Sequence, residues 1–120
     1  MEVLYTPGHD TSCIMLLDAD NRMLFTGDTY YPSPLYVMFE DSSFPDYVIS
    51  VREAAERAVS ERVEWVLGSH NYMEKGTERL CHLADFLESI QRGLITEYEI
   101  EDGFRSYVMD EDINVLLADG

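Results

Sequence analysis

The sequence predicts an α+β fold, a mixed β-sheet with two main helices packed on it. Three observations carry that prediction: short apolar runs closed by turn residues, two longer stretches with apolar residues at helical spacing, and the order in which they alternate. The chain has 120 residues, 46% of them hydrophobic, enough for one globular unit. No linker or low-complexity tract marks a second unit.

The first run, Val3-Leu4-Tyr5, is closed by Pro7-Gly8, a pair that stops a strand and turns the backbone. The next, residues 13–17, is apolar at successive positions, as in a strand covered on both faces. Turn residues 18–21 follow and Met23-Leu24-Phe25 returns, so the pair reads as a β-hairpin ending at Gly27-Asp28. Residues 30–44 carry Pro32, Pro34 and the aromatics Tyr30, Tyr31, Tyr36, Phe39 and Phe44. The prolines predict an ordered loop rather than regular structure.

Ser43 followed by Asp46 is a capping signal for a first helix. Tyr47, Val48, Val51, Ala54, Ala55 and Ala58 mark its inner face, with Arg52, Glu53, Glu56 and Arg57 opposite. Residues 63–67 form a short strand run ending at Gly68-Ser69-His70. A second helix is predicted to start near Thr77, with Leu80, Leu83, Leu87 and Ile90 inward and Gly93 as its stop. Residues 98–100 and 104–109 flank Glu101-Asp102-Gly103 as a hairpin, and residues 113–117 make a last strand.

Charge excludes whole classes of partner. The 24 acidic residues against 8 basic ones leave a formal charge of −16, which repels phosphate backbones and anionic headgroups, so no nucleic acid and no membrane is expected as partner. No apolar stretch approaches the roughly 20 residues of a membrane span, and no basic segment leads into an apolar one at the start, which points to a cytoplasmic protein. Cys13 and Cys81 lie in apolar patterns and are expected as buried free thiols.

The chemistry concentrates at three strand ends. Thr6-Pro7-Gly8-His9-Asp10-Thr11, Thr26-Gly27-Asp28-Thr29 and Gly68-Ser69-His70 each deliver one metal-capable side chain beside a glycine that lets backbone approach closely. Two imidazoles and a carboxylate suit zinc, and one aspartate can bridge two ions. A lone Gly-Asp is ordinary turn chemistry and a lone histidine is ordinary surface; His9 and Asp28 gain meaning because they flank one hairpin, with His70 at the end of a further strand. Ser12, Thr26, Thr29 and Ser69 supply hydroxyls near enough in sequence to orient such ligands. His82, on the second helix, reads as structural.

These three pieces, with Leu24-Phe25 before the second and Trp65-Val66-Leu67 before the third, resemble the C-terminal half of the metallo-β-lactamase superfamily of hydrolases. The resemblance covers residues 4–94 and implies half of a four-layered αββα sandwich, so residues 1–120 match the C-terminal portion of such a domain. It implies His9 as a ligand of a first zinc, Asp28 as the bridging carboxylate and catalytic residue, and His70 as a ligand of a second zinc; iron is a possible alternative. The His-x-His-x-Asp-His segment that completes the family's site has no counterpart in this sequence. Each ion would keep two protein ligands, against three at most catalytic zinc sites.

In an intact relative, a metal-activated water attacks an ester, lactone, thioester or amide of a small-molecule substrate. Tyr30, Tyr31 and Tyr36 are the substrate-contact candidates. Weak or no activity is expected of this chain alone. A different reading is a non-catalytic binding or assembly module that uses an exposed sheet to pair with a partner; self-association and a complementing N-terminal half are the two pairings expected.

Overall fold

The computed structural model describes residues 1–118. The elements follow in the order β1 (Glu2–Tyr5), β2 (Ile14–Asp18), β3 (Met23–Gly27), β4 (Pro34–Val37), α1 (Phe44–Ser60), β5 (Trp65–Gly68), β6 (Met73–Lys75), α2 (Glu78–Gln91), β7 (Glu99–Glu101), β8 (Phe104–Val108) and β9 (Asn114–Leu117). They build two sheets, one of five strands in the order β1-β2-β3-β5-β6 and one of four in the order β4-β9-β8-β7. Both are mixed: β3 runs parallel to β5, β4 runs parallel to β9, and the other pairs are antiparallel.

Helix α1 begins where the capping signal puts it. The Ser43 hydroxyl accepts the Asp46 amide at 3.3 Å, satisfying one of the donors that a first turn leaves open. Tyr47, Val48, Val51, Ala54, Ala55 and Ala58 are buried, as their spacing requires, and so are Leu80, Leu83, Leu87 and Ile90 of α2. The charged outer faces tie elements together. Arg52 donates to Asp85 and Glu88 of α2, and Arg57 makes a two-pronged pair with Glu2 of β1.

The strand register sorts the five-stranded sheet into two unlike faces. Met15, Leu17, Leu24 and Val66 share one face and join both helices, and Leu35, Val37 and Val115 of the other sheet, in a single core. Val3, Leu16, Phe25, Leu67 and Met73 are cross-strand neighbours on the opposite face, flanked there by Tyr5, Ile14, Met23 and Trp65. Val3 and Tyr5 are each 60% exposed, Met73 58% and Ile14 47%. Residues 13–17, expected to be covered on both faces, are therefore covered on one. A continuous apolar run reports two apolar faces, and only one of them meets the helices.

A second correction concerns residues 30–44. They contain a strand, β4, although two prolines interrupt the segment. Pro34 is tolerated because it is the first residue of a strand at the edge of its sheet, where a missing N–H disrupts little of the ladder. Strand β6 was also absent from the sequence reading: three residues, Met73-Glu74-Lys75, carry too little pattern to announce a strand.

Candidate functional site

The two loops leaving β1 and β3 are fastened from below by the first turns of α1. The Ser42 hydroxyl donates to the His9 carbonyl at 2.6 Å, the Ser43 amide to the Gly8 carbonyl at 2.7 Å and the Ser50 hydroxyl to the Pro7 carbonyl at 2.7 Å. The buried Tyr47 hydroxyl donates to the Thr29 carbonyl at 2.7 Å. One helix start thus holds both the His9 loop and the Asp28 loop, and burial pushes the Tyr47 phenol well above its ordinary pKa.

Close approach makes two of the three glycines necessary. A Cβ on Gly8 would sit 2.4 Å from the Tyr47 Cα, and one on Gly68 would sit 2.7 Å from the Tyr31 Cβ. Gly27 is different. A Cβ there has its nearest neighbour at 3.7 Å, so its expected role in close approach gives way to a φ of +54°, which ends β3 in a left-handed turn.

The loops converge on a cavity of about 280 Å³ lined by His9, Asp28, Tyr31, Pro34, Leu35, Tyr36, Phe39 and His70. All three metal candidates are on that wall. The Nδ1 of His9 lies 2.5 Å from the Tyr36 carbonyl, which only accepts, so Nδ1 donates there and Nε2 is the ring nitrogen left facing other partners. Asp28 accepts the Ser69 hydroxyl at 2.6 Å through Oδ1, which joins the β3 loop to the β5 loop directly. His70 has a φ of +63° and sets its ring 5.4 Å from that of Tyr31, while the His9 ring meets Phe39 edge-on at 5.9 Å. A non-glycine residue in the left-handed region is uncommon and concentrates where function constrains backbone.

The tyrosines divide. Tyr31 and Tyr36 line the cavity, as expected of a pocket wall. Tyr30 does not: it is fully buried and donates its hydroxyl to Glu74 at 2.8 Å, so its expected substrate contact is replaced by a core bond. Of the four hydroxyls expected to orient the candidates, Ser69 alone bonds one of them; Thr26 donates to the Tyr30 and Leu67 carbonyls, Ser12 donates to Asp10, and Thr29 meets Thr6 at 3.4 Å. His82 is exposed on α2, outside the cavity lining. Cys13 and Cys81 are free and half-buried, with burial pushing both thiols up.

Glu74 escaped the sequence reading. Its carboxylate accepts Tyr30 at 2.8 Å, Tyr72 at 2.6 Å and, more distantly, Arg79 at 3.5 Å. Burial first, and then the Glu74 bond, push the Tyr72 phenol up to about 12 and Tyr30 higher still. Arg79 continues the network through two bonds to Asp110, at 3.0 and 2.8 Å, and one to Asp112 at 3.1 Å.

Two imidazoles and a carboxylate are the right donor types for zinc, yet among the described residues no three His, Cys, Asp or Glu side chains come close enough to hold one ion. His9, Asp28 and His70 share a cavity without closing into a ligand set. By themselves they do not fit a metal centre. Among the described residues no helix is long and apolar enough to cross a membrane.

A family profile described as the Metallo-beta-lactamase superfamily matches residues 1–70, more than half of the chain. Over 84 residues the chain is 36% identical to the acyl-coenzyme A thioesterase MBLAC2 of Gallus gallus, and equally to those of Bos taurus and Homo sapiens. That alignment covers 70% of this chain and 30% of each relative, so the chain spans less than a third of their length. Among solved structures, a metallo-beta-lactamase from Pontibacter korlensis superposes with a TM-score of 0.57 at 17% identity, over 72% of this chain and 40% of that one. The DIM-1 metallo-beta-lactamase gives 0.57 at 19% identity, over 73% and 41%. At such identities the likeness is one of fold.

Proposed function

The chain belongs to the metallo-beta-lactamase superfamily, and from that membership we propose that it forms one side of a hydrolase site that cleaves an acyl thioester. The observation that carries the reading is the shared cavity, where His9, Asp28 and His70 meet at three strand ends. The thioester is favoured among the bonds such a site can cleave because the curated relatives matched over 70% of this chain are acyl-coenzyme A thioesterases. In this reading residues 1–120 are the C-terminal portion of the domain.

The reaction requires water to add to the acyl carbon, the carbon–sulfur bond to break, and the thiol to leave with a proton. This chain's share is positional. His9 presents Nε2 because Nδ1 is engaged by Tyr36, and Asp28 presents Oδ2 because Oδ1 holds Ser69. Tyr31 and Tyr36 are the substrate contacts proposed on the wall. Zinc, or iron in its place, belongs to this reading only in company with donors from outside this chain.

Those donors are proposed to arrive on a polypeptide whose own β-sheet has an apolar face, seated on the uncovered face that carries Val3, Tyr5, Ile14 and Met73. Two observations support that occupant over a second copy of the chain. The solved structures extend well beyond the 40 to 41% of their length that matches, and two copies would bring together two charges of −16.

The test mixes the purified chain with the unmatched remainder of the chicken thioesterase and follows thiol release from an acyl-coenzyme A. Release is expected from the mixture, little or none from the chain alone, and a loss of at least tenfold with Asp28→Ala, in line with removal of a group that acts at the reacting centre. A stable complex without release, or release indifferent to Asp28→Ala, overturns the reading. A stable complex without release favours the other class of function, an assembly module, for which the uncovered apolar face is the specific observation.

A further inference from the structure

We infer that Glu74 is a positioning residue, a half-buried clamp whose single carboxylate sets the spacing between the loop carrying Asp28 and the loop carrying His70. The inference rests on the proposed site. It extends that site to a residue that lines no part of the cavity.

The geometry is specific to the two loops. Tyr30 stands two residues after Asp28, and Tyr72 two residues after His70; both phenols donate to the Glu74 carboxylate, at 2.8 and 2.6 Å and to different oxygens. Each tyrosine is in turn bound to its own loop through its backbone. The Tyr30 carbonyl accepts the Thr26 hydroxyl at 2.5 Å, and the Tyr72 carbonyl accepts the Gly68 amide at 3.0 Å. The loops then meet at their tips, where Ser69 donates its amide to the Gly27 carbonyl at 3.1 Å and its hydroxyl to Asp28.

Glu74 occupies the inward face of β6, directly across from Val66 in the register, and its side chain is only 17% exposed. A carboxylate placed among core residues needs strong partners, because a buried charge left without them is costly. Two phenols and an arginine supply them, and bonds to a charged acceptor hold their donors more firmly than neutral ones do. The carboxylate is thus held in place by the same bonds through which it holds the loops. Tyr30 being fully buried rather than on the cavity wall follows from this role.

Native-state hydrogen exchange of the whole chain, read by NMR without substrate or metal, tests the clamp. In Glu74→Leu, the Ser69 and Gly68 amides should exchange at least about tenfold faster relative to the Val51 and Ala55 amides of α1, the scale of a lost bond to a charged group. Glu74→Gln keeps a carbonyl acceptor for one phenol only, so one arm is cut and the same ratio should stay close to that of Glu74→Leu. If Glu74→Leu does not fold, Tyr30→Phe and Tyr72→Phe decide: cutting either arm releases the same clamp, so the double variant should loosen Ser69 no more than the stronger single one. Equal acceleration in α1, unchanged Ser69 exchange, or additive effects of the two arms would each overturn the inference. Because exchange is measured without turnover, a failed clamp leaves the thiol-release result standing, and a failed hydrolase reading leaves the clamp measurable.

Discussion

At the scale of single residues, the glycines show how one residue type serves distinct physical ends. Gly8 faces the backbone of Tyr47, with no flexible neighbour to yield. Gly8→Ala is expected to cost about 3 kcal/mol, the upper range for overpacking, measured by urea unfolding. Gly27→Ala meets no atom closer than 3.7 Å and strains only the φ of +54°, so about 1 kcal/mol is expected. His9 shows a different dependence. The ligand role proposed for its Nε2 rests on the Tyr36 carbonyl, a contact made by backbone 27 residues away and invisible in any local motif. The convergence of His9, Asp28 and His70 on one cavity was legible from strand-end placement, whereas their orientation was not.

At the scale of elements, α1 and α2 were the most legible parts, because an inner face repeated over 17 and 14 residues leaves a strong period. The Ser43 cap was legible too, and Ser43→Ala should lower stability by about 1 kcal/mol. Two short strands were not: β6 has three residues and no turn signal of its own, and β4 hid behind Pro34. Element contacts also set an acid response. The Arg79 guanidinium, ahead of the backbone amides of Asp112 and Ile113, holds the Asp110 carboxyl down at about 2, against 3.8 ordinarily. A carboxyl depressed in the folded chain contributes stability above its ordinary pKa, and that contribution is lost as pH falls toward about 2. Asp110→Asn should flatten the fall in stability between pH 4 and about 2, read as urea midpoints across pH. The same midpoints at neutral pH should place Arg79→Ala about 1 to 2 kcal/mol below the parent, a range that allows for its partial exposure.

At the scale of the whole molecule, charge and the uncovered sheet face act against each other. A charge of −16 disfavours association at low salt, and the apolar surface around Val3, Tyr5, Ile14 and Met73 favours it once salt screens that charge. Light scattering of the chain alone should therefore show mass rising with protein concentration at high salt and much less at low salt. Val3→Thr with Ile14→Thr should suppress the rise, whereas a compact monomer at every salt concentration would contradict it. Dialysed protein should retain less than one equivalent of zinc, since the donors meet one cavity without forming a ligand set of three. Retention of two equivalents would show the set to be complete.

Local pattern was enough for the α+β class, both helices with their buried faces and the first helix's cap, and it brought out the three strand-end candidates His9, Asp28 and His70. Each of these is a local pattern, in which period, capping chemistry or a glycine beside a ligand type is written within a few residues. Packing between distant elements settles which face of residues 13–17 is covered, why Tyr30 leaves the cavity to Tyr31 and Tyr36, and how Glu74 bonds tyrosines of both the Asp28 and the His70 loops. The Tyr30–Glu74 bond, for one, spans 44 residues, brought together by strand order and register. No periodicity within a segment encodes such pairings.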